Sequence, residues 1–120
     1  MTVDASVRVI DIVQVYDLLY RLGITANYTG FFHTSYAVYL ATQQPGRLLL
    51  VTKWLYPEVA RHYKTTWHCV ERNIRTTSEV AWARNKTLLQ ELAQYPLTCR
   101  PSASSFIAIL TAHFTADFAA

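Results

Sequence analysis

The sequence predicts an all-α fold, a compact bundle of five to six helices in a single domain that spans residues 1–120. Apolar residues recur every three or four positions over most of the chain, which is the spacing of one face of a helix. Proline, glycine and hydroxyl residues stand between the periodic stretches, and these residue types end or cap helices. With 52% hydrophobic and 16% charged residues, the 120 residues suffice for one core but not for two.

Composition also excludes several classes of protein. The longest unbroken apolar run is Leu48–Val51, whereas a membrane span needs about 20 residues. The first residues show no signal-peptide pattern, so we expect a cytoplasmic protein without membrane contact. Cys69 and Cys99 lack CxxC and zinc-ligand spacings, so we expect two reduced thiols. No Gly-rich phosphate loop is present, and no cofactor is expected.

The first helix is predicted from about Val7 to Leu22. Asp4 or Ser6 is in position to cap its start, and Gly23 stands where glycine commonly ends a helix. Its apolar stripe consists of Val9, Ile12, Val13, Tyr16, Leu19 and Tyr20.

Two further helices are predicted before Pro57. After turn residues 27–30, a helical stripe contains Phe31, Phe32, Ser35, Tyr36, Tyr39 and Leu40. Residues 44–46, Gln-Pro-Gly, end that helix. A short apolar helix is then predicted from Arg47 to Leu55, because Pro57 disfavours helical dihedral angles in the residue before it.

A short helix, a break and a long helix follow. The short helix is predicted from Pro57, which suits a first helical position, to about Tyr63. Residues 64–66, Lys-Thr-Thr, interrupt it, and either threonine can cap the long helix predicted from Thr66 to about Arg84. The inward stripe of the long helix is Val70, Ile74, Thr77 and Ala81, with Trp67 and Val80 beside it, and its polar face carries His68, Glu71, Arg72, Arg75 and Glu79.

The sequence after residue 85 predicts one or two more helices. Leu88, Leu89 and Leu92 indicate a helical turn or two before Pro96. Ser102 or Ser104 can cap a last helix, whose buried stripe is expected to contain Phe106, Ile109, Leu110, His113 and Phe114. The aromatic residues Tyr16, Tyr36, Tyr39, Trp54 and Tyr63 follow helical stripes, and we expect them in the core rather than in a base-stacking surface. Trp67 stands at the start of the long helix, where it could contact a sugar or a thymine methyl group of DNA, but packing against the core is the favoured role.

The charge is concentrated in the middle of the chain. Residues 47–86 contain eight basic and three acidic residues, a net charge of +5, whereas the rest of the chain has a net charge of −2. A short helix, a turn of about three residues and a longer helix with a polar, basic face follow the plan of a helix-turn-helix DNA reader, here at about residues 57–84. The alternative is a solvated face with a Glu71–Arg75 ion pair at i, i+4, and on pattern alone the two are about equally supported.

Resemblance to a known family favours the DNA reader. The central block consists of residues 55–60 (LYPEVA), 64–66 (KTT), 70–75 (VERNIR) and 79–84 (EVAWAR). It resembles the C-terminal DNA-binding effector domain of the master regulator of endospore formation, stage-zero sporulation protein A. Residues 19–24 (LYRLGI), 29–31 (TGF) and 105–108 (SFIA) resemble the flanking helices of the family. The similarity extends over roughly residues 9–114.

The resemblance implies an all-α domain that binds a short DNA box through its long helix, often as a tandem dimer. Glu71 and Arg72 match the base-reading Glu-Arg pair of the family, Arg75 matches a position that supports binding at or near the backbone, and Thr66 matches the start of the recognition helix. We therefore expect bases to be read by His68, Glu71 and Arg72, and the DNA backbone to be held by Lys64, Thr65, Thr66 and Arg75. Double-stranded DNA is the expected partner, and RNA polymerase and a second copy on tandem sites are further candidates. Such a bacterial regulator is nucleoid-associated when it binds DNA.

Three departures from the family pattern are evident. Cys69 stands where the family usually has a further base-reading arginine, and His68 stands where it tends to have a small polar residue, so the preferred box is expected to differ. The family's receiver domain does not fit into these 120 residues. Whether the chain activates or represses, its oligomeric state and whether sporulation is the regulated process stay open at this point.

Other functions have weaker support in the sequence. His62, His68 and Cys69 are close in sequence but offer no evident fourth metal ligand, and Cys69 has no clear general base. We therefore expect neither a metal site nor an enzyme. The alternative function is a helical protein–protein interaction module that has lost tight DNA binding.

Overall fold

The computed structural model describes residues 10–115, which contain seven α-helices, one 3₁₀-helix and no strand. The α-helices are α1 (Ile12–Arg21), α2 (Thr29–Gln43), α3 (Val51–Trp54), α4 (Tyr56–Tyr63), α5 (Trp67–Arg84), α6 (Lys86–Ala93) and α7 (Ala103–Thr115), and the 3₁₀-helix is Pro45–Leu49. All but α3 have eight residues or more. The predicted all-α bundle of five to six helices is thus confirmed for this part of the chain.

The first helix begins later than predicted. Ile10 and Asp11 are not helical, and α1 begins at Ile12 because Asp11 forms a capping box with Gln14. The Asp11 side chain accepts a hydrogen bond from the Val13 N–H, and the Gln14 side chain accepts one from the Asp11 N–H. The prediction of a continuous helix from Val7 is therefore wrong at these two residues, whereas the proposed caps Asp4 and Ser6 lie outside the described residues. Gly23 ends the helix as predicted, with φ of 88°.

One contiguous core lies around α2, which packs against α1, α5 and α7. α2 crosses α5 at Gly30, where a Cβ atom would overlap the Thr77 hydroxyl and the Asn73 carbonyl. Glycine is therefore required for the close approach of the two helices. The largest fully buried side chains of the core are Leu18, Leu19, Leu22, Ile24, Phe31, Leu55, Tyr56, Ile74, Leu89, Phe106, Ile107 and Leu110.

The segment between α2 and α4 differs from the predicted helix over Arg47–Leu55. It consists of the 3₁₀-helix and of α3, with Leu50 between them in an extended conformation (φ −151°, ψ 82°). Neither short helix buries a residue completely, and Leu49 is 83% exposed. The prediction failed because four consecutive apolar residues fit any helix face equally well.

Two predictions of buried aromatic residues are wrong. Trp54 is 45% exposed, and α3, the short helix that it ends, buries no residue completely. His113 is exposed near the end of α7, where its ring lies against the Phe114 ring instead of inside the bundle. The other predicted aromatic positions are partly buried and pack against the core, namely Tyr16, Tyr36, Tyr39, Tyr63 and Trp67.

The last two helices are held by caps at their starts. The Asn85 side chain accepts from the Leu88 N–H before α6, and the Ser102 side chain accepts from the Ser105 N–H before α7, as one of the predicted caps. The Ser78 hydroxyl of α5 donates to the Pro101 carbonyl in a buried bond of 2.8 Å. In the part of the chain described here, no helix is long and apolar enough to cross a bilayer.

Candidate nucleic-acid interface

The candidate interface is built on α4, α5 and the three residues between them. α4 ends at Lys64, which has a left-handed conformation (φ 56°, ψ 50°). The N–H groups of Lys64 and Thr65 donate to the carbonyls of Arg61 and Ala60, which is the Schellman pattern at a helix end. The position of Lys64 is therefore fixed by the backbone of the preceding helix.

Thr66 begins the next helix. Its side chain accepts from the Cys69 N–H at 3.2 Å, so Thr66, and not Thr65, is the N-cap of α5. An N-cap bond of this kind contributes about 1 kcal/mol to stability. The long helix thus has the predicted bounds, and residues 64–66 form a short turn in front of it.

α5 has a buried and an exposed side, as predicted. Val70, Ile74, Thr77 and Ala81 are all buried, and this side packs against α2 and α4. On the other side, His68, Arg72 and Arg75 are exposed and Glu71 is partly buried. The structure therefore brings the residues that were predicted to read bases onto one solvent-facing surface.

Two of the charged residues on that surface form the i, i+4 ion pair that the alternative of a solvated face expected. The Arg75 guanidinium lies 3.7 Å from the Glu71 carboxylate, and the two side chains are 48% and 37% exposed. A pair this exposed contributes roughly 0–1 kcal/mol, so it is easily exchanged for other partners. Near the start of α5, the His68 ring packs on the Trp67 ring with 3.8 Å between centroids.

Cys69 lies at the centre of a polar cluster that the sequence did not predict. Its sulfur accepts from the Asn73 amide at 3.6 Å and lies 3.9 Å from an Arg72 guanidinium nitrogen. The pKa of the Cys69 thiol is lowered, mainly by a hydrogen bond from the Thr65 side chain and further by Arg72 and Asn73, while burial opposes the shift. Cys69 and Cys99 are both free thiols.

The Tyr56 hydroxyl lies behind the polar face of α5. Tyr56 is buried, and among residues 10–115 its hydroxyl has no hydrogen-bond partner. Burial and, to a smaller degree, the negative charge of Glu71 raise the pKa of Tyr56 to about 12. Sequence reasoning placed neither residue near the other, because they belong to different helices.

His33 of α2 contacts α5 from inside the bundle. It is 4% exposed, and its Nδ1 lies 3.3 Å from the Asn73 amide nitrogen. The Asn73 amide can donate only if Nδ1 carries no proton, so this contact requires the neutral ring. Burial lowers the pKa of His33 below its ordinary value of 6.5.

Acidification is therefore expected to destabilise the fold through His33. Because the pKa is lower in the folded state than in the unfolded state, stability is lost as the pH falls below 6.5 toward the folded-state pKa, and no further loss follows below it. Urea unfolding at several pH values between about 5.5 and 7.5, above the ordinary titration range of carboxylates, measures this loss. His33→Gln should flatten the dependence of the free energy of unfolding on pH. The control variant His62→Gln, which replaces an exposed histidine, should keep that dependence. An unchanged slope in His33→Gln would contradict the assignment.

No metal centre is apparent at the interface. Within residues 10–115, no three His, Cys, Asp or Glu side chains lie close enough together to hold a metal ion. The His62 ring instead stacks on the Tyr36 ring at 4.2 Å, away from His68 and Cys69 on the next helix.

Comparison with known families agrees with the geometry. A family model described as the C-terminal domain of the sporulation initiation factor Spo0A matches residues 15–114, which is most of the chain. The match includes all of the helices except the first residues of α1 and the last residue of α7. It confirms the resemblance inferred from residues 55–84. The family consists of DNA-binding domains that regulate transcription in sporulation. The chain therefore belongs to the Spo0A C-terminal domain family.

Proposed function

We propose that the domain is a sequence-specific transcription regulator in which α4 and α5 form a helix-turn-helix and α5 enters the major groove of DNA. The observation that carries this proposal is the division of α5 into a buried apolar side and an exposed side with His68, Arg72 and Arg75. A single helix fits the major groove, where each base pair presents a distinct pattern of donors and acceptors.

Three residues are assigned to the bases. Arg72 can donate two parallel hydrogen bonds to guanine, and Glu71 can accept from the amino group of cytosine. His68, exposed in the first turn of α5, is expected to adjust the contact near the start of the helix. The Glu71–Arg75 pair opposes these contacts only weakly, since it is exposed and 3.7 Å long.

Four residues are assigned to the DNA backbone. Lys64, Thr65 and Thr66 belong to the turn whose backbone is fixed by the end of α4 and the start of α5. The N–H groups at the start of a helix attract phosphate oxygens. Arg75 lies on the same exposed side of α5 as Arg72, about two and a half turns after Thr66. It would pair with a second phosphate.

The partners of the domain follow from the same proposal. We expect double-stranded DNA in the bacterial cytoplasm, with nucleoid association, and a homodimer on tandem boxes with RNA polymerase in contact. The thiol of Cys69 occupies the place of a family arginine, and one bidentate arginine contact is worth about 1–3 kcal/mol of discrimination. The preferred box should therefore differ from that of the family.

Fluorescence anisotropy tests the proposal. The protein is titrated into a labelled duplex that carries the family's box and into a scrambled duplex. Both titrations are repeated at a series of salt concentrations. Sequence-dependent binding with a steep salt dependence supports it, because counterions are released from DNA. Equal, salt-sensitive binding to both duplexes would indicate a changed box, to be found by selection from random sequences. Absence of binding at low salt would instead favour the interaction module, for which the exposed Leu49 and Trp54 side chains provide a surface.

Replacing Arg75 with alanine should weaken binding to both duplexes by the same factor. The slope of log K against log salt should become shallower by about 0.9, because one phosphate contact is lost. Arg21→Ala is the matched control, since it removes the same charge from α1, beside the C-terminal end of α5. A loss confined to the boxed duplex would show that Arg75 reads a base.

A further inference from the structure

An apolar cleft between the end of α2 and the start of α4 is not used by the proposed DNA contacts. It has a volume of about 540 Å³ and is formed by the 3₁₀-helix, α3 and the first turns of α4. Leu49, Trp54 and Pro57 supply its apolar part, and Arg47, Lys53 and Arg61 supply its charged part.

Only half of the longest apolar run of the sequence contributes to the core. Leu48 and Val51 pack against the core, whereas Leu49 is 83% exposed and Leu50 is 46% exposed. Trp54, 45% exposed, continues the same surface. Contiguous apolar surface with a polar rim is typical of a site that binds another molecule.

The charged groups around the cleft are mostly basic and partly fixed in place. The Arg47 guanidinium donates to the Gln44 side chain at 2.8 Å and to the Trp54 carbonyl. Lys53 lies beside the Trp54 ring, with its ammonium nitrogen 5.7 Å from the centroid. The one carboxylate that lines the cleft, Glu58, is already paired with Arg61 at 2.8 Å. The cleft therefore keeps an excess of two positive charges.

We propose that this cleft binds an acidic peptide segment of a partner protein. A large apolar side chain of the peptide would cover Leu49 and Trp54, and its neighbouring carboxylates would lie beside Arg47 and Lys53. Tryptophan and arginine, both present here, are the residues most often responsible for affinity at protein interfaces.

Charge and polarity distinguish this partner from two others. A second copy of the chain that docked through the same face would bring two basic rims together, which costs energy. A DNA backbone would satisfy the basic rim but would leave Leu49 and Trp54 uncovered, since phosphates and sugars offer no large apolar side chain.

Peptide selection tests the proposal. Short random peptides displayed on phage are selected on the immobilised wild-type domain, and the enriched sequences are synthesised with a fluorescent label. We expect sequences in which Asp or Glu flanks Leu, Phe or Trp, and anisotropy should show binding that weakens about tenfold or more in Leu49→Ser and Trp54→Ala. Lys53→Glu should also weaken the binding of these peptides.

Controls separate this result from loss of folding and from DNA binding. Val13→Ser changes an apolar residue of α1 that is 52% exposed and should leave peptide binding unchanged. Thermal unfolding should show that Leu49→Ser is folded, since that side chain contributes little to the core. If no peptide is enriched, if the enriched peptides are not acidic, or if they bind the Leu49 and Trp54 variants as well as the wild type, the proposal is wrong. A loss of duplex affinity in Leu49→Ser would assign the cleft to DNA and would also overturn it.

Discussion

Replacement of Gly30 by alanine is expected to lower the free energy of unfolding by about 3 kcal/mol, at the upper end of the usual cost of overpacking. The new methyl group would overlap the Thr77 hydroxyl and the Asn73 carbonyl, and the latter is backbone of α5 that cannot rotate away. The gain in helix propensity, about 1 kcal/mol for alanine over glycine, is too small to compensate. Urea unfolding followed by circular dichroism measures the loss.

Gly46 provides the matched control for this prediction. In the described part of the chain, no atom lies within 4 Å of the position that a Cβ atom of residue 46 would take, so Gly46→Ala should change stability by less than about 1 kcal/mol. A Gly30→Ala variant as stable as Gly46→Ala would show that α2 and α5 are not in close contact. Gly30→Ala is also expected to reduce DNA binding, because the new methyl group would displace α5 from its position against α2.

Replacement of Arg72 by alanine should lower the preference for a boxed over a scrambled duplex by about 10- to 100-fold, the equivalent of about 1–3 kcal/mol. Arg72 is exposed on α5, where its guanidinium lies 3.9 Å from the Cys69 sulfur. Its removal should therefore leave the fold unchanged. The ratio of the two affinities, measured by anisotropy at one salt concentration, is the quantity to compare.

Arg75→Ala is the comparison for that measurement, since it should lower both affinities and keep their ratio. If Arg72→Ala left the ratio unchanged, the rotation of α5 in the groove would differ from the proposed one. In that case a different residue of the same face, such as Thr76, would have to read the base.

The parts of the fold that the sequence predicted correctly are those set by local signals. The bounds of α5 follow from Thr66 and a regular stripe that ends at Ala81, and α4 begins one residue before the predicted Pro57 and ends at Tyr63 as predicted. The predicted interface residues, from Lys64 to Arg75, lie within eleven positions of one another, so one turn and one helix bring them together. This is why the candidate interface could be assembled without knowledge of the tertiary structure.

The parts that failed depend on choices between equivalent local signals or on contacts between distant residues. The start of α1 is set by the capping box of Asp11 with Gln14, which the periodicity of the apolar residues does not indicate. The contact of Asn73 with His33 joins residues 40 positions apart, and no periodicity indicates it. The same holds for the position of Tyr56 behind Glu71.

The attachments of α5 to the rest of the molecule determine how binding energy would be divided in the proposed complex. The helix is held in its middle by Gly30 and His33 of α2, and further along by the Ser78–Pro101 bond. A helix held at two levels has little conformational entropy left to lose on binding. The adjustment needed for a close fit would then fall on the DNA, so that bending and groove width of the duplex would contribute to specificity at base pairs that no side chain touches.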